Sequence, residues 1–84
     1  MKLTEVRNAL NDAGVYCDHL GRTRGGGFQA KDSYFYHHGR TPEILAKRIT
    51  VAIPTAKIVE AFDDYHTWPA TSYLVVRFTV EGSN

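Results

Sequence analysis

The side chains with chemical potential fall in a few short stretches. Arg22-Thr23-Arg24-Gly25-Gly26-Gly27 sets two guanidinium groups among glycines whose uncluttered backbone N–H groups suit a phosphate or a nucleic-acid backbone. It is not a P-loop, because it lacks the lysine–serine/threonine pair and a following helix. The same residues also describe an exposed hairpin tip kept hydrated by its charges. The second stretch is Lys31-Asp32-Ser33-Tyr34-Phe35-Tyr36-His37-His38-Gly39-Arg40. Strand alternation sends Tyr34, Tyr36 and His38 to one side, with Phe35 and His37 on the other. Beside Arg40, and near Tyr73 and Arg77 of a later strand, such tyrosines can stack bases on a sheet face. Tyrosine is equally a good strand former with a tip that tolerates water.

Metal and acid–base chemistry have thinner support. Cys17-x-His19 and His37-His38 lack the paired arms of structural zinc sites, and a lone cysteine is more often a small core residue, so no metal or cofactor is expected. Asp63-Asp64-Tyr65-His66 is the acid-rich cluster, and His37, His38 and His66 are the candidate bases near neutral pH. No nucleophile–base–orienter set accompanies them, so no catalytic residue is assigned. A small ribonuclease using His37 or His38 is the enzymatic version to test. Trp68, next to Pro69, is either packed beneath its loop or an interface anchor.

The elements that must position these residues follow from periodicity. Leu3, Val6, Leu10 and Ala13 make one apolar helical stripe, and Gly14 ends it. Val15–Leu20 alternates as a strand, residues 21–27 turn, and Phe28–His38 returns. Thr41, Pro42 and Glu43 form a helix start, with Ile44, Leu45, Ile49 and Ala52/Ile53 as its expected buried stripe and Pro54 as its stop. Lys57–Phe62 reads as a third strand, Asp63–Thr71 as a polar connection, and Ser72–Glu81 as a fourth strand. In that last strand Leu74, Val76, Phe78 and Val80 share one face, while Tyr73, Val75, Arg77 and Thr79 share the other.

The order α-β-β-α-β-β predicts an α+β fold. Two αββ units, about 3–39 and 41–81 of a single domain spanning 1–84, form a four-stranded antiparallel sheet with two helices on one face. Two helices cover one side only, so the other face is wet, paired with a second copy, or a binding surface. An apolar patch around Tyr73, Val75 and Trp68 is what a protein partner would need there.

Eighty-four residues make a thin core, burying about 60–65% of the unfolded surface. One cysteine excludes an internal disulfide and fits a reducing compartment. No apolar run approaches the roughly 20 residues that span a bilayer, and the first five residues carry no signal-like apolar run. The expected location is cytoplasmic, without membrane contact. Net charge is +1, but residues 19–48 carry +4 between flanks of −1 and −2.

The opening Met1-Lys2-Leu3-Thr4-Glu5-Val6-Arg7-Asn8-Ala9-Leu10, followed by a glycine and a short hairpin, resembles the small uncharacterised proteins encoded by bacteriophages. That resemblance implies a compact, often dimeric chain that binds or inhibits a host macromolecule. The expected function is non-catalytic binding of a host protein or of a second copy. Arg22, Arg24, Lys31, Arg40 and Arg77 would supply charge. Tyr34, Tyr36, Tyr73, His38 and Trp68 would supply contact area. Nucleic-acid or phosphate binding through the arginine loop and tyrosine strand is the alternative; it predicts strong salt dependence.

Overall fold

The computed structural model describes residues 1–33, 41–67 and 70–81. The elements run α1 (Leu3–Asp12), β1 (His19–Arg22), β2 (Phe28–Ser33), α2 (Pro42–Ala52), β3 (Ala56–Thr67) and β4 (Ala70–Val80). The four strands form one antiparallel sheet in the order β1-β2-β4-β3. Both helices lie on the same face, giving the expected α+β architecture. The hairpins share a sheet because β2 pairs with β4, aligning Phe28 with Phe78 and Ala30 with Val76.

Each helix begins for a local reason, and α1 also ends for one. The Glu5 carboxylate accepts from the Lys2 backbone N–H at 2.7 Å, closing the start of α1. At its far end Gly14, with φ +74°, takes the left-handed position. Gly14 N–H then reaches Asn11 O and Val15 N–H reaches Leu10 O at 2.8 Å, the paired bonds of a Schellman cap. At the start of α2, Thr41 Oγ1 accepts from Ile44 N–H at 3.2 Å, and Pro42 occupies the first turn, where no donor is needed.

The core lies between the helices and the sheet. Val6 and Leu10 of α1 and Leu45, Ala46 and Ile49 of α2 meet Phe28, Ala30, Leu74, Val76, Phe78 and Val80. Phe28 and Phe78 stack with centroids 5.7 Å apart. Burying each large apolar side chain contributes about 1.5–3 kcal/mol before the entropy of ordering it. Among the described residues Asp32 is the buried charged side chain, at 1% exposure, and no buried side-chain polar atom lacks a hydrogen bond.

Besides Ala13, which leaves the α1 stripe and is exposed at the helix cap, three expectations are corrected. The first strand begins at His19, not Val15, because Val15 is consumed by the α1 cap and inserted into the core; β1 pairs over four positions only. The expected polar connection from Asp63 is strand: β3 continues to Thr67 and β4 starts at Ala70, so this hairpin pairs over eleven positions. Polar residues extend a strand readily where one face meets water. The third correction is Ile44, which leaves the buried stripe and is 39% exposed, while Ala46 turns inward instead. The second sheet face also differs in character from an uncovered apolar one, as its side chains show.

Candidate functional site

The open face of the sheet carries most of the described residues the sequence singled out. Pleating and register place Gln29, Arg77 and Glu60 in one row, Lys31, Val75 and Phe62 in the next, and Tyr73 and Asp64 in the third. Arg77 sits at the centre of the first row. Its Nε donates to Gln29 Oε1 at 2.8 Å and its Nη1 to Glu60 Oε2 at 2.7 Å. The same guanidinium lies 5.3 Å from the Phe62 ring centroid, one row away. Lys31 repeats the device, with Nζ 4.7 Å from the Tyr73 ring centroid and 3.9 Å from Asp64 Oδ2. Each cation therefore caps an aromatic ring and pairs with a carboxylate.

This lattice accounts for Val75. The residue lies on the face away from the helices, outside the core cluster, yet is only 2% exposed. Long neighbours with apolar stems and rings lie around it in the register, and such side chains cover a valine while keeping their charges wet. Val75 consequently offers no contact area to a partner, and Tyr73 is half-buried under Lys31.

The glycine–arginine hairpin is more divided. Thr23 N–H closes on Gly27 O at 3.0 Å, and Gly25 and Gly26 both take φ +89°, a conformation costly to other residues. A Cβ on Gly27 would meet Thr23 Oγ1 at 2.8 Å and Phe78 O at 3.1 Å. Arg22 faces Phe28 across the hairpin, with its guanidinium 5.5 Å from that ring and 3.5 Å from the Met1 carbonyl oxygen. Arg24 is exposed and holds no ion pair or hydrogen bond among the described residues. Arg22, Arg24, Arg77 and Glu60 line an open cleft of about 590 Å³, so its positive charge is partly neutralised from within.

Tyr34, Tyr36, His37, His38, Arg40 and Trp68 lie outside the described residues. Asp63 and Asp64 do not act as a carboxylate pair, because neighbours on a strand point to opposite faces. Among the described residues no three His, Cys, Asp or Glu side chains gather to hold a metal. Burial pushes the Cys17 thiol up to about 11; Asp32 and Asp18 add to the rise, and Arg7 opposes it. At neutral pH it is a protonated, poorly nucleophilic thiol.

A surface that sequence reasoning missed lies on α2. Ile44 and Val51 are exposed at 39% and 73%, and with Ala13, Val15, Lys47 and Arg48 they line a groove of about 340 Å³. At about 100° per residue, Arg48, Ile44, Val51 and Lys47 share one sector of the helix. The buried residues Pro42, Leu45, Ala46, Ile49 and Ile53 occupy another. The signal was present in the sequence: Ile44 and Val51 are seven apart and both fall off the stripe centred on Leu45 and Ile49. No family model, curated protein or solved structure matches the chain, so its surfaces carry the functional argument alone. Among the described residues, no helix is long and apolar enough to cross a membrane.

Proposed function

We propose that this chain is a small non-enzymatic binding protein whose partner is another protein, engaged through the outer sector of α2. One observation carries the reading. Arg77 and Lys31, the cations beside Val75 on the sheet face, are already paired with carboxylates and rings, whereas Ile44 and Val51 stand exposed beside a largely apolar groove. Exposed apolar side chains that share a groove favour a protein contact over a hydrated surface. The resemblance of its opening to bacteriophage accessory proteins fits a role in covering, and so inhibiting, a host protein. A lone, half-buried thiol suits the reducing cytoplasm.

A second reading rests on the hairpin. Arg24 and the positive-φ Gly25, which both line the large cleft, favour an anion such as phosphate or a nucleic-acid backbone. Glu60 in the same lining opposes it, which places this reading second.

Capture from a bacterial lysate separates the two. Tagged wild-type protein, an Ile44→Asp/Val51→Asp variant and an Arg24→Ala variant are compared at low and high salt, with and without nuclease. A protein that survives salt and nuclease, and is lost only from the α2 variant, supports the protein-binding reading. Nucleic acid that salt removes and Arg24→Ala loses overturns it in favour of the hairpin.

A further inference from the structure

The groove beside α2 has a definite chemistry. Its apolar lining residues are Ala13 and Val15 at the capped end of α1 and Ile44 and Val51 of α2. Its ionisable lining residues are Lys47 and Arg48, both exposed cations. Ile44 and Val51 lie seven residues apart, about 10.5 Å along the axis, which is the spacing of side chains two turns apart on a facing helix. We propose that this groove seats an acidic amphipathic helix of the protein partner, an inference that rests on the protein-binding reading above.

The occupant follows from shape and charge together. A facing helix presents apolar anchors at i, i+3 or i+4, and i+7, and that pattern matches the two-turn separation of the exposed apolar pair. Its flanks must be acidic, because side chains docked over Ile44 and Val51 pass between Lys47 and Arg48. Opposite charge there speeds encounter and fixes register, while like charge is penalised. A second copy is the poorer occupant. In an isologous contact the same sector meets itself, bringing Lys47 and Arg48 of one copy towards the same cations of the other. A nucleic acid is poorer still, since no aromatic residue lines the groove to give bases a platform.

The test uses the full chain and two synthetic helical peptides. Both carry leucines at i, i+4 and i+7; one has glutamates on the flanks and the other lysines at the same positions. Fluorescence anisotropy follows binding to wild-type protein, to Lys47→Glu/Arg48→Glu and to Ile44→Asp/Val51→Asp. Circular dichroism checks that each variant is folded. The expected result is binding of the glutamate peptide by wild type, about tenfold weaker binding by the charge-reversed variant, and a reversed preference for the lysine peptide. The aspartate variant should bind neither peptide.

Failure of wild type to bind the glutamate peptide overturns the proposal, as does equal binding of both peptides. Neither result touches the lysate comparison, where a captured protein lost from Ile44→Asp/Val51→Asp would still support a protein partner of different chemistry. Sedimentation closes the remaining route. A wild-type dimer that the aspartate variant dissolves identifies the occupant as a second copy and overturns the acidic-helix assignment.

Discussion

The two faces of this molecule use charge in opposite ways. On the open sheet face, Arg77 and Lys31 lie over Phe62 and Tyr73 and pair with Glu60 and Asp64, so that cations, rings and carboxylates shelter Val75. On the outer sector of α2, Lys47 and Arg48 flank Ile44 and Val51, whose apolar surface stays in contact with water. The same residue types thus cover Val75 on one surface and leave Ile44 and Val51 uncovered on the other, although Val59 at the β3 bulge beside Glu60 is also exposed, at 61%. A run of basic and aromatic residues marks a binding site only when its charges are not already answered by neighbours in the folded chain. Pairing across strands decides that, and it depends on register rather than composition.

The sharpest way to probe this contrast lies within α2 itself. Leu45 is fully buried and Ile44, its neighbour, is not. Leu45→Ala should lower unfolding free energy by about 2–5 kcal/mol in urea titrations, whereas Ile44→Ala should change it by less than about 1 kcal/mol. Equal losses would mean that Ile44 belongs to the core and that the groove is structural.

At the hairpin beside the sheet face, Gly26→Ala forces a side chain into φ +89° and should cost about 1–2 kcal/mol. Gly21→Ala, where the added Cβ meets nothing within 4 Å, is the control and should stay within about 0.5 kcal/mol of wild type. Similar effects at both positions would remove the argument that the tip is conformationally specified.

A double-mutant cycle on Arg77→Ala and Glu60→Ala addresses the lattice directly. Both side chains are nearly half exposed, so the expected coupling is about 0.2–1 kcal/mol, shrinking in concentrated salt. Zero coupling at low salt would release Arg77 as a free cation and erase the difference between the faces.

A pH-dependent effect concerns the helix side. The folded chain holds the Cys17 proton more tightly than the unfolded chain does, because burial raises the thiol to about 11. In the window above the ordinary thiol value and up to about 11, the folded state therefore binds more protons, and stability falls as pH rises. Cys17→Ser should flatten that slope in thermal melts recorded across the alkaline range. An unchanged slope would assign it to other groups.

Much of the fold was legible because it is written in local patterns. Thr41-Pro42-Glu43 and Gly14 mark a helix start and a helix stop by backbone chemistry that needs no distant partner. The alternation from Tyr73 to Val80 shows which side chains face the core. The extents of β1 and β3 were not legible in this way. Val15 alternates like a strand residue but closes a helix cap, and Asp63 to Thr67 look like a turn until β4 offers them a ladder.

The amino-acid order by itself determined two helices, four strands and an apolar face for each, because capping, φ preference and periodicity act over a few residues. The tertiary structure alone decided the candidate sites. Whether Arg77 is a free cation or a paired one depends on Glu60 and Gln29 arriving from two other strands. Whether Ile44 is core or surface depends on the angle at which α2 lies on β3 and β4, and a rotation of one residue about the helix axis is enough to exchange it with Leu45. Such long-range geometry is set by packing the whole core at once, and no local stretch of sequence carries it.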